Sequence, residues 1–96
     1  MRNKSNIARH EWIGLDARVE RSADPSLAGA EGRVVDETMR TLTLERADGR
    51  EVVVPKRGSE VTLALPGGER AALDLTLLEM RPWDRVKRAK RVHSTA

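Results

Sequence analysis

The chain has 96 residues, enough for one small domain and too few for two. It has no cysteine and only two histidines, which excludes disulfides and thiolate metal sites and makes a poor zinc site. The net charge of +3 hides a segregation: residues 1–10 carry three basic and no acidic side chains, residues 11–80 nine and fourteen, and residues 81–96 six and one.

In chain order, Ile7 to Ile13 reads as a brief helix, with Ile7, Ala8 and Trp12 at roughly helical spacing. Asp16-Ala17-Arg18-Val19-Glu20 alternates with period two and predicts a half-buried strand. Ala23-Asp24-Pro25-Ser26 reads as a loop, and Gly32-Arg33-Val34-Val35-Asp36-Glu37-Thr38 as a strand entering a turn. Met39-Arg40 must then link two strands without a glycine. Leu42 and Leu44 alternate with Thr41, Thr43 and Glu45, and Asp48-Gly49 predicts a two-residue type I′ hairpin. Val52-Val53-Val54 is a β-branched run that could be buried on both faces.

Pro55-Lys56-Arg57-Gly58 reads as a basic turn. Val61, Leu63 and Leu65 share one parity, Pro66-Gly67-Gly68 supplies a turn, and Ala71, Leu73 and Leu75 share the next parity. Pro82 to Arg91 predicts a helix, with Pro82 suited to its first turn and Asp84 near its N-terminus. From Val92 on, disorder is expected. The expected core is Leu42, Leu44, Val52, Val54, Val61 and Leu63, with Val19 and Val34 beside them.

Six or so short antiparallel strands indicate an all-β fold, a small barrel whose closure removes exposed edges. The expected organisation is a flexible segment or short helix over 1–11, the barrel over 12–81, and a basic helix and tail over 82–96. No apolar run approaches the roughly 20 residues of a membrane span and no signal-peptide region is seen, so a cytoplasmic protein without membrane contact is expected.

An acidic body with basic ends localises anion binding to those ends. Arg85, Lys87, Arg88, Lys90 and Arg91 place five cations within seven residues, either a solubilising tail or phosphate contacts on RNA. Both Arg85 and Lys87 are expected on an exposed helix surface. Lys56 and Arg57 sit at a turn from which long cationic side chains can reach a nucleic-acid backbone. With 2% aromatic residues, stacking of bases on Phe or Tyr is excluded. Asp36 and Glu37 are neighbours on a strand and point to opposite faces, so they do not form a catalytic carboxylate pair. Turn and rim hydrogen bonding is their expected role. No motif makes His10 or His93 a general base, and no phosphate-cradling glycine loop is present. Ile7, Trp12 and Ile13 are candidates for a protein-partner interface, tryptophan being a common anchor.

Three blocks in fixed order complete the pattern: Gly32-Arg33-Val34-Val35-Asp36-Glu37-Thr38, Pro55-Lys56-Arg57-Gly58, and Arg81-Pro82-Trp83-Asp84-Arg85-Val86-Lys87, preceded by Trp12-Ile13-Gly14-Leu15. This order resembles the archaeal ribonuclease P protein component 1 family from about Trp12 to Lys87. The resemblance implies a six- or seven-stranded Sm-like (SH3-type) barrel with helical or disordered ends. It implies an RNA-binding subunit of an RNA-centred endonuclease that removes the 5′ leader of precursor tRNA, with a zinc-ribbon protein subunit as partner. Lys56, Arg81, Arg85 and Lys87 are the cations it carries over. No cofactor is expected on the protein, and magnesium is expected for the RNA-catalysed reaction. Two other classes stay open: a ribosome- or transcription-associated RNA-binding barrel, and an SH3-type adaptor, the latter short of the aromatics that line peptide grooves.

Overall fold

The computed structural model describes Ile7, residues 11–82, Asp84 and Arg85. Six strands form one antiparallel sheet: β1 (Asp16–Arg21), β2 (Glu31–Glu37), β3 (Thr41–Glu45), β4 (Glu51–Pro55), β5 (Glu60–Ala64) and β6 (Arg70–Asp74). Their order is β4-β3-β2-β1-β5-β6, so the hydrogen-bonded ladder ends at β4 on one side and at β6 on the other. Short 3-10 turns follow β1 (Pro25–Leu27) and β6 (Leu75–Leu78).

Period-two alternation builds the core. Ala17 and Val19 of β1, Leu42 and Leu44 of β3, and Val61 and Leu63 of β5 all turn inward. They meet Val34, Val54, Ala71, Leu75 and Leu78 in one apolar cluster. Val52 is only partly buried against that cluster, and Val53 is 56% exposed. The β-branched run is therefore buried on one face, with Val54 turned into the cluster and Val53, its neighbour, turned away from it.

The turns explain the register. The link from β2 to β3 needs no glycine because the Thr38 hydroxyl accepts the Thr41 N–H at 3.0 Å and shares a 2.7 Å hydrogen bond with the Thr41 hydroxyl. The β3–β4 turn departs from the two-residue type I′ expectation. Gly49 has φ +86°, no described non-glycine residue has positive φ, and the Gly49 N–H bonds back to the Arg46 carbonyl at 2.9 Å. One left-handed residue after a right-handed turn suits Ala47-Asp48-Gly49, where type I′ would have forced Asp48 to positive φ as well.

Within the expected helix from Ile7 to Ile13, Ile7 lies in a 3-10 turn, Glu11, Trp12 and Ile13 are not helical, and residues 8–10 lie outside the described residues. Of the expected C-terminal helix, Pro82, Asp84 and Arg85 have helical backbone, and the Arg85 N–H bonds to the Arg81 carbonyl at 2.9 Å. The remainder, with Lys87, Arg88, Lys90 and Arg91, lies outside the described residues.

Candidate nucleic-acid interface

The most tightly built polar cluster begins with a defect in β2. The β2–β3 ladder pairs Val34 with Leu44 and then Asp36 with Thr43, leaving Val35 as an extra residue. Strict alternation would turn Val34 and Asp36 to the same side; the bulge reverses the parity beyond it. Glu37 is consequently buried on the side of Val34, while Asp36 is exposed. Asp36 and Glu37 do face apart, and the Asp36 carboxylate accepts the Glu37 N–H at 2.9 Å.

Two cations reach the buried carboxylate from distant parts of the chain. Lys56 follows β4, and its Nζ donates to Glu37 Oε2 at 2.7 Å and to the Met80 carbonyl at 2.9 Å. Arg85 donates from Nε to Glu37 Oε2 and from Nη2 to Glu37 Oε1, both at 2.8 Å, a bidentate fork. All three side chains are wholly buried. Trp12 covers them: the Arg85 guanidinium carbon lies 3.6 Å from its ring centroid and Lys56 Nζ 5.7 Å. The indole N–H in turn donates to the Ile7 carbonyl at 2.8 Å.

Local structure aims Lys56 inward. Its N–H donates to the Arg40 carbonyl at 2.7 Å, and its carbonyl accepts the Ser59 N–H at 3.2 Å. Gly58 has φ +81°, and a Cβ there would stand 2.8 Å from Ala23 Cβ, so the turn demands glycine on two counts. Burial pushes the Lys56 ammonium below its ordinary value of 10.5, opposed by the hydrogen bond and charge of Glu37.

These contacts correct the expectation that Lys56 and Arg85 stand free at the surface. A buried carboxylate would be strongly destabilising alone, and it recruits both cations as counter-charges. Arg57 and Arg81 are exposed, Arg57 pairing with Glu79 at 2.8 Å. Arg40, absent from the sequence-based candidates, is also exposed, and its carbonyl accepts the Lys56 N–H. Of the candidate partner residues, Ile7 and Trp12 are buried within the chain, leaving Ile13 exposed at 42%. Glu37, expected only as a rim group, is the hub. Among the described residues no group of three His, Asp or Glu side chains is placed to hold a metal, and none of their helices is long and apolar enough to cross a membrane.

The ribonuclease P/MRP subunit p29 family model matches residues 5–88. The chain belongs to this family. Its p29 match spans all five members of the cluster, Ile7, Trp12, Glu37, Lys56 and Arg85, and stops short of Lys90 and Arg91. The chain is 45% identical to ribonuclease P protein component 1 of Desulfurococcus amylolyticus, covering 93% of this chain and 97% of that one. It is 46% identical to the protein of the same name from Methanothermobacter thermautotrophicus, covering 86% and 89%. A solved structure, that of Mth11, described as a homologue of the human RNase P protein Rpp29, superposes with a TM-score of 0.62 at 45% identity, covering 80% of this chain and 99% of that chain.

Proposed function

We propose that this protein is an RNA-binding subunit of ribonuclease P, assisting a catalytic RNA in removing the 5′ leader of precursor tRNA. Family membership over residues 5–88 carries the reading, and relatives at 45–46% identity bear the name ribonuclease P protein component 1. The charge pattern supports it, since basic ends flanking an acidic body suit local contact with a phosphate backbone. Exposed Arg57 and Arg81, with Lys87, Arg88, Lys90 and Arg91 beyond, supply those contacts, while Lys56 and Arg85 hold the scaffold. On this reading the sheet curls into an Sm-like barrel, and Ile13 is available to a protein partner such as a zinc-ribbon subunit of the same particle. The protein works in the cytoplasm and binds no cofactor, and magnesium serves the RNA.

The test is reconstitution. The protein alone, with precursor tRNA and magnesium, leaves the substrate intact. Added to a cognate ribonuclease P RNA with the other protein subunits, it lowers the magnesium needed for 5′ processing, because its cations replace part of the ionic screening. A magnesium requirement that is the same with and without the protein overturns the proposal, as does cleavage by a clean preparation of the protein alone.

A further inference from the structure

Strand β3 is flanked by an exposed arginine on each side, Arg40 before Thr41 and Arg46 after Glu45, and the two stand in different surroundings. Arg46 borders open surface grooves that it shares with Asp16, Glu31, Glu45 and Asp48, with Arg33 as the other cation. Arg40 sits where Lys56 ties three segments of chain together. Its N–H donates to the Thr38 hydroxyl at 3.3 Å and its carbonyl accepts the Lys56 N–H at 2.7 Å, so its backbone is held on both sides. Arg57, the residue after Lys56, is exposed. The Lys56 ammonium donates at 2.9 Å to the carbonyl of Met80, the residue before exposed Arg81. One buried lysine therefore joins segments 38–41, 55–59 and 79–82, and each of them presents one exposed arginine. The single carboxylate among these segments is Glu79, paired with Arg57 at 2.8 Å. In a body whose residues 11–80 carry nine basic and fourteen acidic side chains, this is a local reversal of sign.

We propose that Arg40, with Arg57 and Arg81, forms a site for the RNA sugar–phosphate backbone at the Lys56 end of the sheet. This rests on the RNA-binding function proposed above and adds Arg40 to it as a contact residue. A guanidinium presents a planar fork that matches phosphate oxygens two at a time. Carried on backbone that is already fixed, such forks lose less freedom on binding than cations on an unheld chain. They grip the backbone and read no base, which suits a chain with 2% aromatic residues and little means of stacking bases. Arg46 is the same residue on the other side of the same strand, and the carboxylates around it repel a polyanion there.

The experiment uses the full chain and a transcribed archaeal ribonuclease P RNA, titrated across several salt concentrations at a temperature where circular dichroism shows each variant folded. Arg40→Ala is expected to bind about 3- to 10-fold more weakly, with a log–log salt slope shallower by about one, as when one phosphate is no longer neutralised. Arg81→Ala should lose affinity and slope in the same way. Arg46→Ala removes the same charge from the other side of β3 and should stay within about twofold of wild type, with its slope unchanged. A loss at Arg40 that Arg46 does not share cannot come from net charge alone. Arg40→Ala that binds no more weakly than Arg46→Ala, or keeps the wild-type slope, overturns the site and leaves the RNA-binding function standing. Wild-type protein that fails to bind the RNA at all overturns both.

Discussion

Arg33 and Glu45 face each other across β2 and β3 at 3.4 Å with side chains 60% and 38% exposed, whereas Glu37, further along β2, meets Lys56 and Arg85 at 2.7 and 2.8 Å with no exposure. The same side-chain types make both sets of ion pairs. Arg18–Glu31 at 3.5 Å and Arg21–Glu60 at 3.7 Å belong with the first kind. Water screens those pairs and each is worth roughly 0–1 kcal/mol. The buried set has no water to replace a missing partner, so its members depend on each other. Charge on the open face stays in contact with solvent, while charge at the Glu37 end ties β2 to Lys56 after β4 and to Arg85 near the far end of the described chain.

The contrast is most directly broken at the hub. Glu37→Ala removes the buried carboxylate that Lys56 and Arg85 share and should cost about 3–5 kcal/mol in urea unfolding. Arg33→Ala on the open face should cost under about 1 kcal/mol. Equal losses would show that water enters the Glu37 cluster. Arg85→Ala belongs on the costly side, contrary to the expectation that Arg85 lies on an exposed helix.

Much of the fold was legible because most strands obey simple alternation. Val19, Leu42, Leu44, Val61 and Leu63 followed from parity alone, and all are fully buried. Glu37 was not legible for the same reason. Counting by twos along β2 places it outside, and only the extra residue Val35 turns it in. A bulge leaves no residue signature here, since Val35 is an ordinary strand former. Lys56 and Arg85 stand out by the motifs they sit in, yet a motif does not say whether its cation faces RNA or the interior. The clue that was available is Trp12. A tryptophan in a chain with 2% aromatic residues is costly to leave exposed and offers a face to a cation.

An apolar substitution on the same sheet calibrates the polar one. Leu44→Ala should cost about 2–4 kcal/mol through lost transfer energy and a residual cavity. Thr43→Ala, one residue away and only partly buried, should cost under about 1 kcal/mol. If Leu44→Ala exceeded Glu37→Ala in denaturant melts, the apolar cluster rather than the ion cluster would dominate this end of the sheet. A milder lever is the turn that aims Lys56. Gly58→Ala combines a left-handed backbone with a contact at 2.8 Å and should cost about 1–3 kcal/mol. Gly49→Ala, left-handed but in open space, should cost only about 1 kcal/mol. Equal costs would mean that the Ala23 contact yields without strain.

The smallest effect, and the one that separates burial from pairing at Lys56, is pH dependence. Burial holds the Lys56 ammonium below 10.5, and Glu37 opposes the shift without cancelling it. Between that lowered value and the unfolded one, the folded chain carries fewer protons on this group than the unfolded chain does. Stability then rises with pH across the window, and the cost of charging Lys56 is present in full below it. Lys56→Arg keeps a cation that does not titrate in this range. The stability of the wild type relative to Lys56→Arg should therefore climb as the pH rises towards 10.5, read from urea midpoints at several pH values. A difference that falls across the same range would mean that the Glu37 carboxylate stabilises the Lys56 charge by more than burial penalises it. The cluster would then be held together by its ion pair with Lys56, and the Arg85 fork would be the secondary contact.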